Sequence, residues 1–193
     1  MAFMVCACDK TPRIQKEIFT TYYGEMLFDD IIPTDKVSTQ VYEYDTRGNL
    51  IFMQLSDSED FIYAEETISY KKDERISCHR WVQFDKDSER TEHLWYKENG
   101  KWYRNTNGEI TQLNDSENEQ LNQPSDYITF LPVNTDGTFT IIEDRYQCIG
   151  KVVETDKYGN WVKAIGKEKY DYESSYLDDR ENYVVYTREI VYY

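Results

Sequence analysis

The chain has 193 residues, room for one sizeable domain. It carries 37 Asp and Glu against 22 Lys and Arg, a net charge of -15. Such a balance argues against a nucleic-acid-binding surface, which must neutralise phosphates with Lys and Arg, and against an anionic bilayer as a docking surface. Tyr is in excess at 18 residues, and Ala, a strong helix former, occurs only at positions 2, 7, 64 and 164, so the composition leans to β.

The N-terminal run Ala2-Phe3-Met4-Val5-Cys6-Ala7-Cys8 is apolar and ends at Asp9-Lys10. Residues 1–10 have the layout of a signal-peptide remnant, and Val5-Cys6-Ala7-Cys8 resembles a lipobox, which implies lipidation at Cys8. No stretch reaches the roughly 20 apolar residues of a membrane-spanning helix, so the expected membrane contact is by lipid anchor only.

Residues 11–36 form a leader. Thr11-Pro12 reads as a cap and first helical residue, and Ile14, Ile18 and Tyr22 follow at a spacing of four, so a short helix is expected before Gly24 and Pro33.

From Val37 to the end the pattern has period two, with turn signals every 8–12 residues, which predicts one all-β domain, an open, curved antiparallel meander of hairpins. Strands are expected over 38–45, 49–55, 62–70, 76–84, 91–96, 102–105, 109–113, 127–131, 138–143, 146–154, 160–167 and 182–193. Gly48, Gly100, Gly108, Gly137 and Gly159 mark the joins, where a positive φ is needed. The polar stretch 114–126 reads as a long loop, and the Asp-, Glu- and Ser-rich stretch 170–182 as another.

Strand alternation places Ile76, Cys78, Val82 and Phe84 on one face, and Ile142, Tyr146, Cys148 and Val152 on another. Both thiols then point at a core; a Cys78–Cys148 disulfide would require an oxidising compartment. Cys78 and His79 are strand neighbours on opposite faces and cannot share a ligand or act together as nucleophile and base.

An internal repeat is visible. Tyr44-Asp45-Thr46-Arg47-Gly48-Asn49-Leu50 aligns with Thr155-Asp156-Lys157-Tyr158-Gly159-Asn160-Trp161, and more weakly with Tyr96-Lys97-Glu98-Asn99-Gly100-Lys101-Trp102. The Asp can cap a turn, the Gly takes a left-handed conformation, and an apolar residue opens the returning strand. These motifs, with the closing Thr187-Arg188-Glu189-Ile190-Val191-Tyr192-Tyr193, resemble the YD repeats of Rhs-type proteins and of small bacterial envelope lipoproteins. The resemblance implies repeated hairpins, with turns at Asp45, Gly48, Asn49, Asp156, Gly159 and Asn160, and an outer-membrane or periplasmic setting. It supplies no catalytic residue. Copies spaced 52 and 59 residues apart do not make the tandem array of a closed shell.

No nucleophile, phosphate-loop or zinc-protease motif occurs. Asp115, Glu117, Glu119 and Asp126 lack the glycine and flanking helices of a calcium loop. Glu65-Glu66 and Asp178-Asp179 read as solvated surface. No metal or cofactor is therefore expected. The face carrying His79 and Trp81, with Trp95 and Trp102 beside them, is the expected ligand surface, although packing is the commoner use of such rings. The sequence thus points to a non-catalytic envelope lipoprotein binding a protein or a glycan through a sheet face or its acidic loops. An acidic inhibitor or immunity protein for a basic toxin, and a glycan-active enzyme, are the alternatives.

Overall fold

The computed structural model describes residues 12–72, 74–114, 131–143, 146–170 and 182–193. Among them twelve strands form one antiparallel sheet: β1 (Ile14–Leu27), β2 (Asp30–Tyr44), β3 (Leu50–Ser56), β4 (Ile62–Lys71), β5 (Glu74–Val82), β6 (Thr91–Glu98), β7 (Lys101–Thr106), β8 (Glu109–Gln112), β9 (Thr138–Glu143), β10 (Tyr146–Thr155), β11 (Trp161–Tyr170) and β12 (Asn182–Tyr192). The spatial order is β8-β7-β6-β5-β4-β3-β2-β1-β12-β11-β10-β9. Two meanders therefore run outward from a central seam where the first strand pairs with the last, from Ile14–Tyr192 to Gly24–Tyr183.

The predicted all-β meander is present, with one correction. Ile14–Leu27 is a strand, not a helix. The spacing of four that suggested a helix also places Ile14, Ile18 and Tyr22 on one side of a strand, since four is a multiple of two. The run Ile18-Phe19-Thr20-Thr21-Tyr22-Tyr23 is β-branched and aromatic throughout, which favours the pleated conformation. Pro33 is accommodated inside β2 because it lies beyond the reach of β3, whose last partner on β2 is Thr39. The leader is thus the centre of the sheet. The predicted signal remnant and Cys8, the calcium-like acids, Asp178-Asp179, and most of the loops at 114–126 and 170–182 and of the strand 127–131 lie outside the described residues.

Turn chemistry explains the hairpins. At Asp45–Asn49 the Asp45 amide donates to the Asn49 carbonyl (2.9 Å) and the Gly48 amide to the Asp45 carbonyl (2.9 Å). Gly48 sits at φ 91°, so this is a tight turn closed by a left-handed bulge residue. The same pair of bonds recurs at Asp156–Asn160, as the repeat predicts, and at Asp57–Phe61 and Asn134–Thr138. The last two are copies that the residue pattern hides. Asp60 takes the glycine position at φ 64°, and Asn134 replaces the leading Asp. The weak copy around Asn99-Gly100 is a different device, a two-residue turn with φ 51° and 78°.

Cross-strand partners share a face. Glu17, Tyr42, Met53, Glu66, Arg80, His93 and Thr106 form one row of direct partners from β1 to β7. This face, the inner one, carries most of the buried residues among those described, including Tyr42, Met53, Leu55, Ala64, Ile68, Cys78, Phe139, Cys148, Ala164 and Val184. Two face expectations need correction. Phe84 lies past the end of β5 and is 84% exposed, and Ile142 is 73% exposed because the β9–β10 register sets Ile141, not Ile142, opposite Cys148.

The sheet curves in the β9–β12 wing. Phe139 on β9 and Tyr186 on β12 are separated by β10 and β11, yet their ring centroids are 5.7 Å apart; flat strands would separate them by about 14 Å. Gly150 and Gly166, direct partners on β10 and β11, remove the side chains that would stand between. A Cβ at Gly150 would lie 2.3 Å from Cζ of Phe139 and 2.2 Å from the Ile165 carbonyl oxygen. The ring thus lies across the two bare backbones and joins Cys148, Ala164 and Val184 in a core cluster.

Candidate functional site

The four residues expected to form one ligand face are divided. His79 pairs with Leu94, and Trp81 with Glu92, whereas Trp95 pairs with Cys78 and Trp102 with Lys97. Trp95 and Trp102 therefore share the inner face with Cys78, and His79 and Trp81 occupy the outer one. Neither tryptophan pair offers an open platform. Trp81 is 8% exposed, with the Arg90 guanidinium 4.0 Å above its ring, and Trp102 is 6% exposed. Trp95 is flanked by His93 and Arg80. His79 borders a shallow outer depression with Glu92, Asn105 and Asn107, its Nε2 3.8 Å from Glu92.

Cys78 and Cys148 are buried free thiols. They lie on β5 and β10 with β4, β3, β2, β1, β12 and β11 between them, so the two do not form a bridge. Burial pushes the Cys78 thiol well up, and Glu66 adds to the shift. Burial also raises Cys148. Both stay protonated and are poor nucleophiles.

A different concavity lies over the central seam of the inner face. A cleft of about 440 Å³ is walled by Phe19, Tyr23, Tyr146, Trp161 and Tyr186, with Leu131, Ile141 and Val184 supplying aliphatic surface and Thr21, Gln40 and Glu168 polar groups. The Tyr146 hydroxyl donates to Glu168 Oε1 at 2.9 Å. Burial, then Tyr186 and Glu168, drive the Tyr146 phenol far up, so it remains a fixed donor. Phe19 and Trp161 are held 5.7 Å apart. Such walls suit a ligand with apolar faces and hydroxyl edges.

The edge of the cleft rests on a buried ionic group. Arg188 on β12 donates through Nε to Glu17 Oε1 on β1 at 2.9 Å, and Nη2 makes a second contact to the same oxygen. The Tyr44 hydroxyl donates to Glu17 Oε2 at 2.7 Å. The guanidinium lies 5.4 Å from the Phe19 ring and 5.3 Å from that of Trp161. Glu17 is 3% exposed. Burial, followed by the hydrogen bond to Glu17, raises the Tyr44 phenol well above its usual range. The ion pair thus fixes the two rings that face the cleft. Glu66 on β4 (3% exposed) and Arg80 on β5 form a second such pair, Nε to Oε2 at 2.8 Å. The expectation that Glu66 is solvated surface is thus corrected: the β4–β5 register sets it opposite Arg80, and its side chain is buried on the sheet face.

The two repeat turns flank this seam at the sheet end where β1 begins and β12 finishes. Asp45 Oδ1 accepts the amides of Arg47 (2.8 Å) and Asn49 (3.0 Å), and Asp156 Oδ1 those of Tyr158 (2.8 Å) and Asn160 (2.9 Å). The Asn49 amide group, with the backbone amides of Asn49 and Arg47, lowers the Asp45 carboxyl to about 2. At Asp156 loss of water acts upward but is outweighed by the Tyr192 hydroxyl and the turn amides, and the net shift is downward. Tyr192 contacts Asp156 and packs edge-on to Tyr158, and the Tyr193 hydroxyl donates to the Tyr44 carbonyl at 2.5 Å. The C-terminal tyrosines therefore pin both turns. These six residues, singled out by the repeat, are structural and lie outside the cleft lining.

Among the described residues there is no cluster of three or more His, Cys, Asp or Glu able to hold a metal ion. Comparison with protein-family models, with curated proteins and with solved structures finds no match for this chain.

Proposed function

We propose that the protein is a non-catalytic binding module of the bacterial envelope, anchored through lipid on Cys8, that takes a glycan in the cleft over the β1–β12 seam. The observation that carries this reading is the arrangement of Phe19, Trp161 and Tyr186 around Glu168, Gln40 and Thr21 in one concavity. Sugar rings present apolar C–H faces to aromatics and hydroxyl edges to carboxylate, amide and hydroxyl groups, and this lining offers both. Glycan hydrolysis would require two carboxyl groups facing each other across the site; among the described residues the lining offers Glu168, which already accepts from Tyr146.

The test is calorimetric titration with soluble envelope oligosaccharides, peptidoglycan fragments included. Binding is expected, and Trp161→Ala and Glu168→Gln are each expected to weaken it about tenfold, the scale of one lost stacking or charged hydrogen-bond contact. No heat at millimolar sugar, or binding untouched by both variants, would sink the reading. Anchoring is checked separately: mass spectrometry of protein made from the full-length gene should find acyl mass on Cys8.

A further inference from the structure

The β1–β2 hairpin outruns its neighbours. β12 last pairs with β1 at Gly24–Tyr183, and β3 last pairs with β2 at Thr39–Ser56. Ile31 closes the base: a Cβ at Gly24 would come within 2.9 Å of Ile31 Cγ2 and 3.0 Å of Tyr183 Cβ. Among the described residues, a two-stranded arm remains beyond that point. On it Met26, Leu27, Phe28 and Ile32 are 52%, 46%, 93% and 38% exposed.

The apex is also strained. Leu27 pairs with Asp30, so the turn residues are Phe28 and Asp29, with φ 50° and 70°. A turn with two positive φ values favours Asn-Gly. The same chain uses Asn99-Gly100 and Asn107-Gly108 in two other turns of this kind. A phenylalanine held left-handed and open to water gains nothing for the isolated fold, and strain of this sort concentrates where a side chain must be presented.

Charge decides among occupants. Residues 23–35 contain Glu25, Asp29, Asp30 and Asp35 and no Lys or Arg. A second copy, at -15, is repelled, and so is an anionic bilayer. We propose that this arm is a docking element: Phe28 and Leu27 enter an apolar socket on a partner protein whose rim carries Lys and Arg, which meet Asp29 and Asp30. An aromatic anchor inside a charged ring is the usual layout of a protein–protein hot spot.

The test replaces Phe28 in the full-length chain by a photoreactive benzoylphenylalanine, irradiates source cells and identifies the adduct. The partner is then purified and titrated against wild type, Phe28→Asn and Asp29→Asn/Asp30→Asn. Expected are one protein adduct, affinity lowered about tenfold or more by Phe28→Asn, and a weaker salt dependence in the double variant. Phe28→Asn should meanwhile melt no lower than wild type, because asparagine tolerates the left-handed turn. A lipid adduct, a self-adduct, no adduct, or a partner that binds Phe28→Asn as well as wild type overturns the proposal.

Discussion

The Glu17–Arg188 pair bridges the first and last strands, and replacing Arg188 by Met tests how much the seam depends on it. Methionine keeps apolar contact with Phe19 and Trp161 but withdraws the cation from a carboxylate that is 3% exposed. Leaving one partner of a buried pair behind costs about 3–5 kcal/mol. For a chain of this size that lowers the melting temperature by about 10 °C. Glu17→Gln/Arg188→Met removes both charges while an amide oxygen remains for the Tyr44 hydroxyl, and it should recover at least about 2 kcal/mol of the loss. Urea unfolding followed by tryptophan fluorescence gives both values. If Arg188→Met costs under about 1 kcal/mol, or the double variant is no better than the single, the pair behaves as a solvated surface bridge and the reasoning fails.

Three further outcomes are expected. Gly150→Ala drives a Cβ into Phe139 and the Ile165 carbonyl and should cost about 3 kcal/mol or more, whereas Gly159→Ala, with open space but φ 83°, should cost about 1 kcal/mol; the reverse order in urea unfolding would contradict the packing described for the β9–β12 wing. Asp45 has a folded pKa of about 2 and Asp156 is also lowered, so their stabilisation is present above the unfolded value of about 4 and lost as pH falls from there towards 2. The stability gap between wild type and Asp45→Asn/Asp156→Asn should close over that window, and a gap independent of pH would refute the assignment. In a Cys6→Ser/Cys8→Ser background, iodoacetamide at pH 8 should leave Cys78 and Cys148 unmodified until urea is added; rapid alkylation of the native chain would show that these thiols are not buried.

The all-β class and most of the hairpins were legible in the sequence because they are local. Period-two alternation sets a strand over each short run, and Asp45-Thr46-Arg47-Gly48-Asn49 specifies its turn with its own side chain and glycine. Where the signal was degenerate the reading failed: a spacing of four in Ile14, Ile18 and Tyr22 fits helix and strand alike, and only docking between β2 and β12 makes the segment a strand. Asp57–Phe61 hid for a related reason, since Asp60 adopts a glycine-like φ that its side chain does not announce. Faces and sites depended on tertiary structure. Whether Trp95 joins Trp81 or Cys78 is set by the β5–β6 register, a one-residue matter that reverses every side chain. Phe19 meets Tyr186 and Trp161 in the cleft, and Glu17 meets Arg188, through the pairing of β1 with β12. That pairing satisfies the long backbone edge of β1, and no local stretch of sequence encodes it.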